Sequence, residues 1–131
     1  MIKYFNLAAI LLIITVINMG CGDSTGQFGK VVKYSLNKPI KFPDFDIEFT
    51  GESDKSTTFD NGNSFKFHYY DFKVSSPAEN KIVQWTTGTG LIAPASFELG
   101  STMYSIELKR SQLFSKELAE DEMIVTKLEK N

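Results

Sequence analysis

Apolar and polar residues alternate with a period of two along most of the chain after residue 30, the pattern of half-buried strands. Phe45, Ile47 and Phe49 alternate with Asp46, Glu48 and Thr50, which predicts a strand with three large side chains inward. Val31–Leu36 reads as a first strand, and Ile40–Phe42, bracketed by Pro39 and Pro43, as a short piece at a sheet edge or a bend. Gly51–Lys55 reads as a polar turn, and Ser56–Phe59 and Ser64–Phe67 as a hairpin around Asn61-Gly62. Its predicted register sets Phe59 opposite Phe65, since aromatic cross-strand pairs stabilise by up to about 1 kcal/mol.

The alternation changes phase in the next strand. Phe65, Phe67 and Tyr69 share one face, and Tyr70, Phe72 and Val74 the other. That predicts a β-bulge near Tyr69-Tyr70 or a strand crossing between sheets. Ile82–Thr87 carries Val83 and Trp85 on one face, and Thr87-Gly88-Thr89-Gly90 ends it. Ala95–Leu99 and Thr102–Lys109 form a hairpin through a type II′ turn at Gly100-Ser101. Its register pairs Leu99 with Thr102, Phe97 with Tyr104 and Ala95 with Ile106, leaving Glu98, Met103, Ser105 and Glu107 outward. A short helical turn is expected from Ser115, and Met123–Leu128 closes the fold. About seven strands at this spacing predict an all-β protein, a small antiparallel sandwich or barrel over residues 31–131.

The first thirty residues differ. Lys3 precedes an apolar run, Leu7–Ile17, about 16 Å long as a helix and too short to span a bilayer core of about 30 Å. The run closes on Asn18-Met19-Gly20-Cys21, which contains the only cysteine. This stretch resembles the signal segment of bacterial lipoproteins, in which a small residue precedes a lipid-modified cysteine. The resemblance implies cleavage after Gly20, a diacylglyceryl thioether on Cys21 and anchorage in the cell envelope. With Gly22 and not Asp after the cysteine, the location implied in a Gram-negative cell is the periplasmic face of the outer membrane. Gly22–Lys30, rich in Gly and Ser, reads with Cys21 as a flexible tether.

Composition narrows the chemistry. Without Lys3, thirteen Lys and Arg face 16 Asp and Glu, a formal charge of −3, which argues against nucleic acid as a partner. A lipidated Cys21 leaves no thiol for a disulfide, so stability must come from packing, chiefly of eleven Phe, five Tyr and one Trp. His68 is the only histidine, which leaves no catalytic triad motif and no zinc ligand set. Asp44, Asp46 and Glu48 fall on one side of a strand and read as its solvent face before they read as a calcium site. Thr87–Gly90 lacks the Lys and the helix of a phosphate loop. The chain is therefore expected to be no enzyme and to hold no metal or cofactor. The candidate contact surface is an aromatic patch of His68, Tyr69, Tyr70 and Trp85 with the loop glycines Gly88 and Gly90. The partners expected are a membrane, through the lipid, and another envelope or extracellular protein. Lysozyme inhibitors, which insert loops into an enzyme cleft, and accessory subunits that add a strand to a partner are the two models for such a domain.

Overall fold

Two sheets stack face to face in the computed structural model, which describes residues 24–87, 92–109, 111 and 117–129. Among these residues there are nine strands and no helix. The first sheet has the order β1-β3-β4-β5-β6, from Ser24–Thr25 (β1), Pro39–Lys41 (β3), Asp46–Thr58 (β4), Ser64–Ser75 (β5) and Asn80–Thr86 (β6). The second has the order β2-β9-β8-β7, from Val31–Lys33 (β2), Glu122–Leu128 (β9), Thr102–Leu108 (β8) and Ala95–Leu99 (β7). The architecture is a β-sandwich and not a closed barrel. All strand pairings among the described residues are antiparallel except that of β1 with β3, and Leu36 makes a single parallel bridge to Phe49.

The alternation in the sequence explains the interior. Phe45, Ile47 and Phe49 lie inward, as do Phe72 and Val74 of β5, Val83 and Trp85 of β6, Ile106 of β8 and Val125 of β9. Aliphatic side chains and aromatic rings share one core cluster. Phe45 packs edge-on against Phe97 and Tyr104, with centroids 5.5 and 5.0 Å away. Tyr34 meets Phe49 and Phe72 edge-on at 5.1 and 5.6 Å, and Tyr70 meets Trp85 at 5.4 Å. Such pairs add about 0.5–1.5 kcal/mol each to the burial of their area. The β7–β8 hairpin has the predicted register, and Gly100 supplies the positive φ of its turn at 58°.

Several expectations need correcting. Residues 24–30 belong to the fold: β1 pairs with β3, and Phe28 packs on Phe42, Phe45 and Tyr104 at 5.5, 5.9 and 5.6 Å. A Gly-rich composition hid a strand two residues long and one anchoring ring. Second, β3 is flanked on both sides, by β1 and β4, and so does not lie at a sheet edge, one of its two expected places; the other, a bend, follows it at Pro43-Asp44. Third, Gly51–Lys55 is strand and not turn. The bulge lies here, between Phe49 and Gly51 of β4, while β5 runs regularly past Tyr69-Tyr70. Fourth, the tip register pairs Thr58 with Ser64 and Thr57 with Phe65. Phe59 lies opposite Asn63, donating its N–H to the Asn63 carbonyl at 2.9 Å, around a three-residue loop with Gly62 at φ 81°. Phe59 and Phe65 are diagonal neighbours, and their rings still meet edge-on at 5.1 Å. Fifth, Ser105 and Glu107 lie on the outer face of the second sheet but are buried, as are Leu118 and Ile124.

Asp44 does not belong to a solvent-facing row. It precedes β4 and reaches the second sheet, where it accepts from the Tyr104 hydroxyl at 2.7 Å and from Lys127 Nζ at 2.9 Å. Those two donors hold its carboxyl below the usual range, while burial and Asp44 push Tyr104 up to about 12. The expected helical turn at Ser115 lies outside the described residues.

Candidate functional site

The β4–β5 ribbon is longer than the sheet that carries it. β3 accompanies β4 only through Glu48, and β6 accompanies β5 only back to Tyr69, opposite Thr86. Beyond these points Asp54–Thr58 and Ser64–His68 continue as a pair with no third strand among the described residues, five residues each, roughly 16 Å at 3.3 Å per residue. A bare two-stranded ribbon is marginal in water, so its side chains must hold it. The bulge at Thr50 decides how they are distributed. Before it, odd-numbered residues of β4 face the core; after it, even-numbered ones do.

The face continuous with the core is polar. Asp54 lies directly opposite His68 and Glu52 opposite Tyr70. The His68 imidazole sits between two carboxylates, with Nδ1 on Asp54 and Nε2 2.5 Å from Glu52. Lys66 Nζ lies 2.9 Å from the other Asp54 oxygen. Thr87 closes the row: its Oγ1 accepts from the His68 backbone N–H at 2.9 Å, and its own N–H donates to the His68 carbonyl at 2.9 Å. The His68 ring also meets Tyr70 edge-on at 4.8 Å. A hollow of about 270 Å³ opens among Asp54, Lys66, His68, Tyr70 and Thr87. Beside it, Tyr34, Phe49, Tyr70, Glu52, Glu120 and Asp121 line another of about 340 Å³. Burial, Tyr70 and the surrounding carboxylates push the Tyr34 hydroxyl up to about 12.

Asp54, and then Glu52, raise the His68 pKa above its ordinary 6.5. Lys66, and then His68, lower that of Asp54 below its ordinary 3.8. Stability from the raised histidine is complete below 6.5 and is lost as pH rises through the raised value. Stability from the lowered carboxyl is complete above 3.8 and is lost as pH falls through the lowered value. The cluster therefore holds the ribbon best between 3.8 and 6.5. The His68 ring signals should titrate above 6.5 by NMR, with Asp54→Asn lowering the midpoint more than Glu52→Gln. A midpoint at or below 6.5 in the unmutated protein would contradict this pairing.

The opposite face of the ribbon is aromatic. Phe65, Phe67 and Tyr69 line it from β5, and Phe59, 47% exposed, stands at its tip. Their partners across β4 are the small or flexible Thr57, Lys55 and Ser53.

The predicted patch is thus divided. His68 and Tyr70 share the polar face, while Tyr69 points the other way. Trp85 is 1% exposed and lies in the interior, where its indole N–H donates to Ser111 Oγ at 3.2 Å. Gly88, Gly90, Gly20 and Cys21 lie outside the described residues. Sequence reasoning misses Glu52 and Asp54 beside His68, because Gly51–Lys55 reads as a turn. Read as a strand, the alternation Glu52, Asp54, Ser56 would have placed both carboxylates on one face. Among the described residues no three His, Cys, Asp or Glu side chains are disposed to hold a metal ion. No protein-family model, curated protein or solved structure matches the chain.

Proposed function

We propose that this protein is a lipid-anchored lipoprotein of the bacterial cell envelope that acts as a non-enzymatic binding module, offering the β4–β5 ribbon to another envelope or extracellular protein. The observation that carries the reading is the length of that ribbon beyond its neighbours. A projecting hairpin with aromatic side chains on one face and fixed charges on the other has the anatomy of a recognition element, since aromatic anchors supply most interface energy and charges set register. Both nitrogens of His68 are occupied by carboxylates. The ring therefore serves as a cation bridging two acids, which supports a structural and recognition role over that of a general base.

Insertion of the ribbon into a partner's cleft, as an inhibitor does, fits better than strand addition. From Gly51 on, the outer edge of β4 has no strand beside it among the described residues, but Glu52, Asp54 and Lys55 stand along it. Charges on an edge discourage pairing with another strand. An accessory subunit joined by strand addition is the reading that this edge would otherwise favour.

Photo-crosslinking in cells tests the proposal. A photoreactive phenylalanine analogue at Phe59 or Phe67 should give the same adduct with one partner. At Ile82, which is 62% exposed but outside the ribbon, it should give none. Equal adducts from all three sites, or none from the ribbon, would contradict it.

A further inference from the structure

The flank formed by the first strands carries a charge opposite to that of the rest. Residues 24–43 contain Lys30, Lys33, Lys38 and Lys41 and no Asp or Glu. From Asp44 onward nine Lys and Arg stand against fifteen Asp and Glu, formally −6. The fold gathers the basic segment on one side. The chain winds from β1 at the edge of the first sheet to β2 at the edge of the second, then back to β3 beside β1. The other flank is β6 and β7, clipped together by Lys81 on the Glu98 carbonyl and by the Gly100 N–H on Glu79 Oε1 at 3.3 Å. All four lysines of the winding are exposed. Lys30, Lys33 and Lys38 make no ion pair among the described residues. The carboxylates in register with this flank are Asp46, opposite Lys41, Glu48, opposite Pro39, and Glu122, opposite Lys33. Glu122 already accepts from the Ala119 N–H at 2.7 Å.

Ser24 is held in the sheet by pairing with Ile40. Cys21 is three residues earlier in the sequence, and three residues reach about 11 Å at most. An acyl chain on Cys21 would therefore hold this flank within reach of lipid headgroups.

We infer that the β1–β3 flank is a docking surface for anionic phospholipid, seating the domain flush on the membrane through Lys30, Lys33, Lys38 and Lys41. The inference rests on the lipid-anchored reading above. The physical case is charge complementarity at short range. Lysines near an anionic surface are attracted within a Debye length, while the −6 remainder is repelled, so the two terms turn the domain the same way. A single acyl chain with a basic patch already makes a stable two-part anchor.

Lysine acetylation footprinting of the full chain, purified from membranes and reconstituted in vesicles, tests the inference. Vesicles of phosphatidylcholine alone are compared with vesicles that also contain phosphatidylglycerol. On the anionic vesicles, labelling of Lys30, Lys33, Lys38 and Lys41 should slow several-fold, while Lys55 and Lys73 are unchanged. Labelling should recover in 1 M salt, where the Debye length is about 3 Å. Equal labelling on both vesicles, or equal protection of Lys55 and Lys73, would overturn the inference. The mass of the Cys21 peptide is read from the same digest. An unacylated Cys21 overturns the anchorage reading, whereas an acylated Cys21 without lysine protection overturns the docking surface alone.

Discussion

Replacing Trp85 with alanine is expected to destabilise the protein by about 3–5 kcal/mol, the usual cost of emptying a large aromatic site in a core. Trp85 is 1% exposed and meets the Tyr70 ring edge-on at 5.4 Å. Its indole N–H also reaches Ser111, whose Oγ accepts from Leu108 N at 3.3 Å and whose N–H donates to the Leu108 carbonyl at 2.9 Å. The substitution thus leaves a cavity and frees the turn that ends β8. Trp85→Phe keeps most of the volume and loses the hydrogen bond, so it should cost far less, on the order of 1–3 kcal/mol. Chemical denaturation checks both. A Trp85→Ala protein as stable as the original would place the indole at the surface and return it to the recognition patch.

The second large effect is expected at Gly26. A Cβ there would lie 2.4 Å from Phe42 Cζ and 2.7 Å from both Cε atoms, closer than carbon atoms approach. The ring cannot swing aside, because Phe42 is buried between Phe28 and Phe45, with centroids at 5.5 and 5.7 Å. Gly26→Ala should therefore cost about 1–3 kcal/mol, in line with other overpacked cores. The Gly26 N–H donates to the Lys41 carbonyl at 2.7 Å, so the loss should be felt in the β1–β3 pairing. Hydrogen exchange at Gly26 should accelerate in this variant more than exchange in β8. An unaffected melting temperature would mean that residues 24–30 are a loose leash after all.

What the sequence made legible follows from how each feature is encoded. The inward rows Phe45-Ile47-Phe49 and Val83-Trp85 and the Gly100-Ser101 turn are local patterns, and each was readable at its own position. The ribbon was not, because Gly51–Lys55 is polar on both faces: from Glu52 on, β4 is exposed and has no core to meet. Polarity there signals distance from the interior and not a turn. The cluster around His68 was hidden for the same reason, since its carboxylates arrive from a partner strand fourteen and sixteen residues away. The phase change read at Tyr69-Tyr70 was real as a pattern. Both faces of β5 are apolar because one covers the core and the other forms the ribbon's aromatic side, while the bulge itself sits across the ladder in β4.

The basic flank shows how fold turns composition into geometry. A count of charges over residues 24–43 is available to any reader of the chain. That those lysines share one side, next to the residue fixed nearest Cys21, depends on the winding of β1, β2 and β3 between the two sheets. On the proposed reading the site and the flank divide the molecule's surface by role: one side for attachment, the projecting ribbon for contact.

Everything said about location depends on the chemistry at Cys21. Mass spectrometry of the protein isolated from its own cells measures it directly. The account predicts a chain that begins at Cys21 and carries a diacylglyceryl thioether on its sulfur. A chain still joined to residues 1–20, with an unmodified thiol at Cys21, would contradict it.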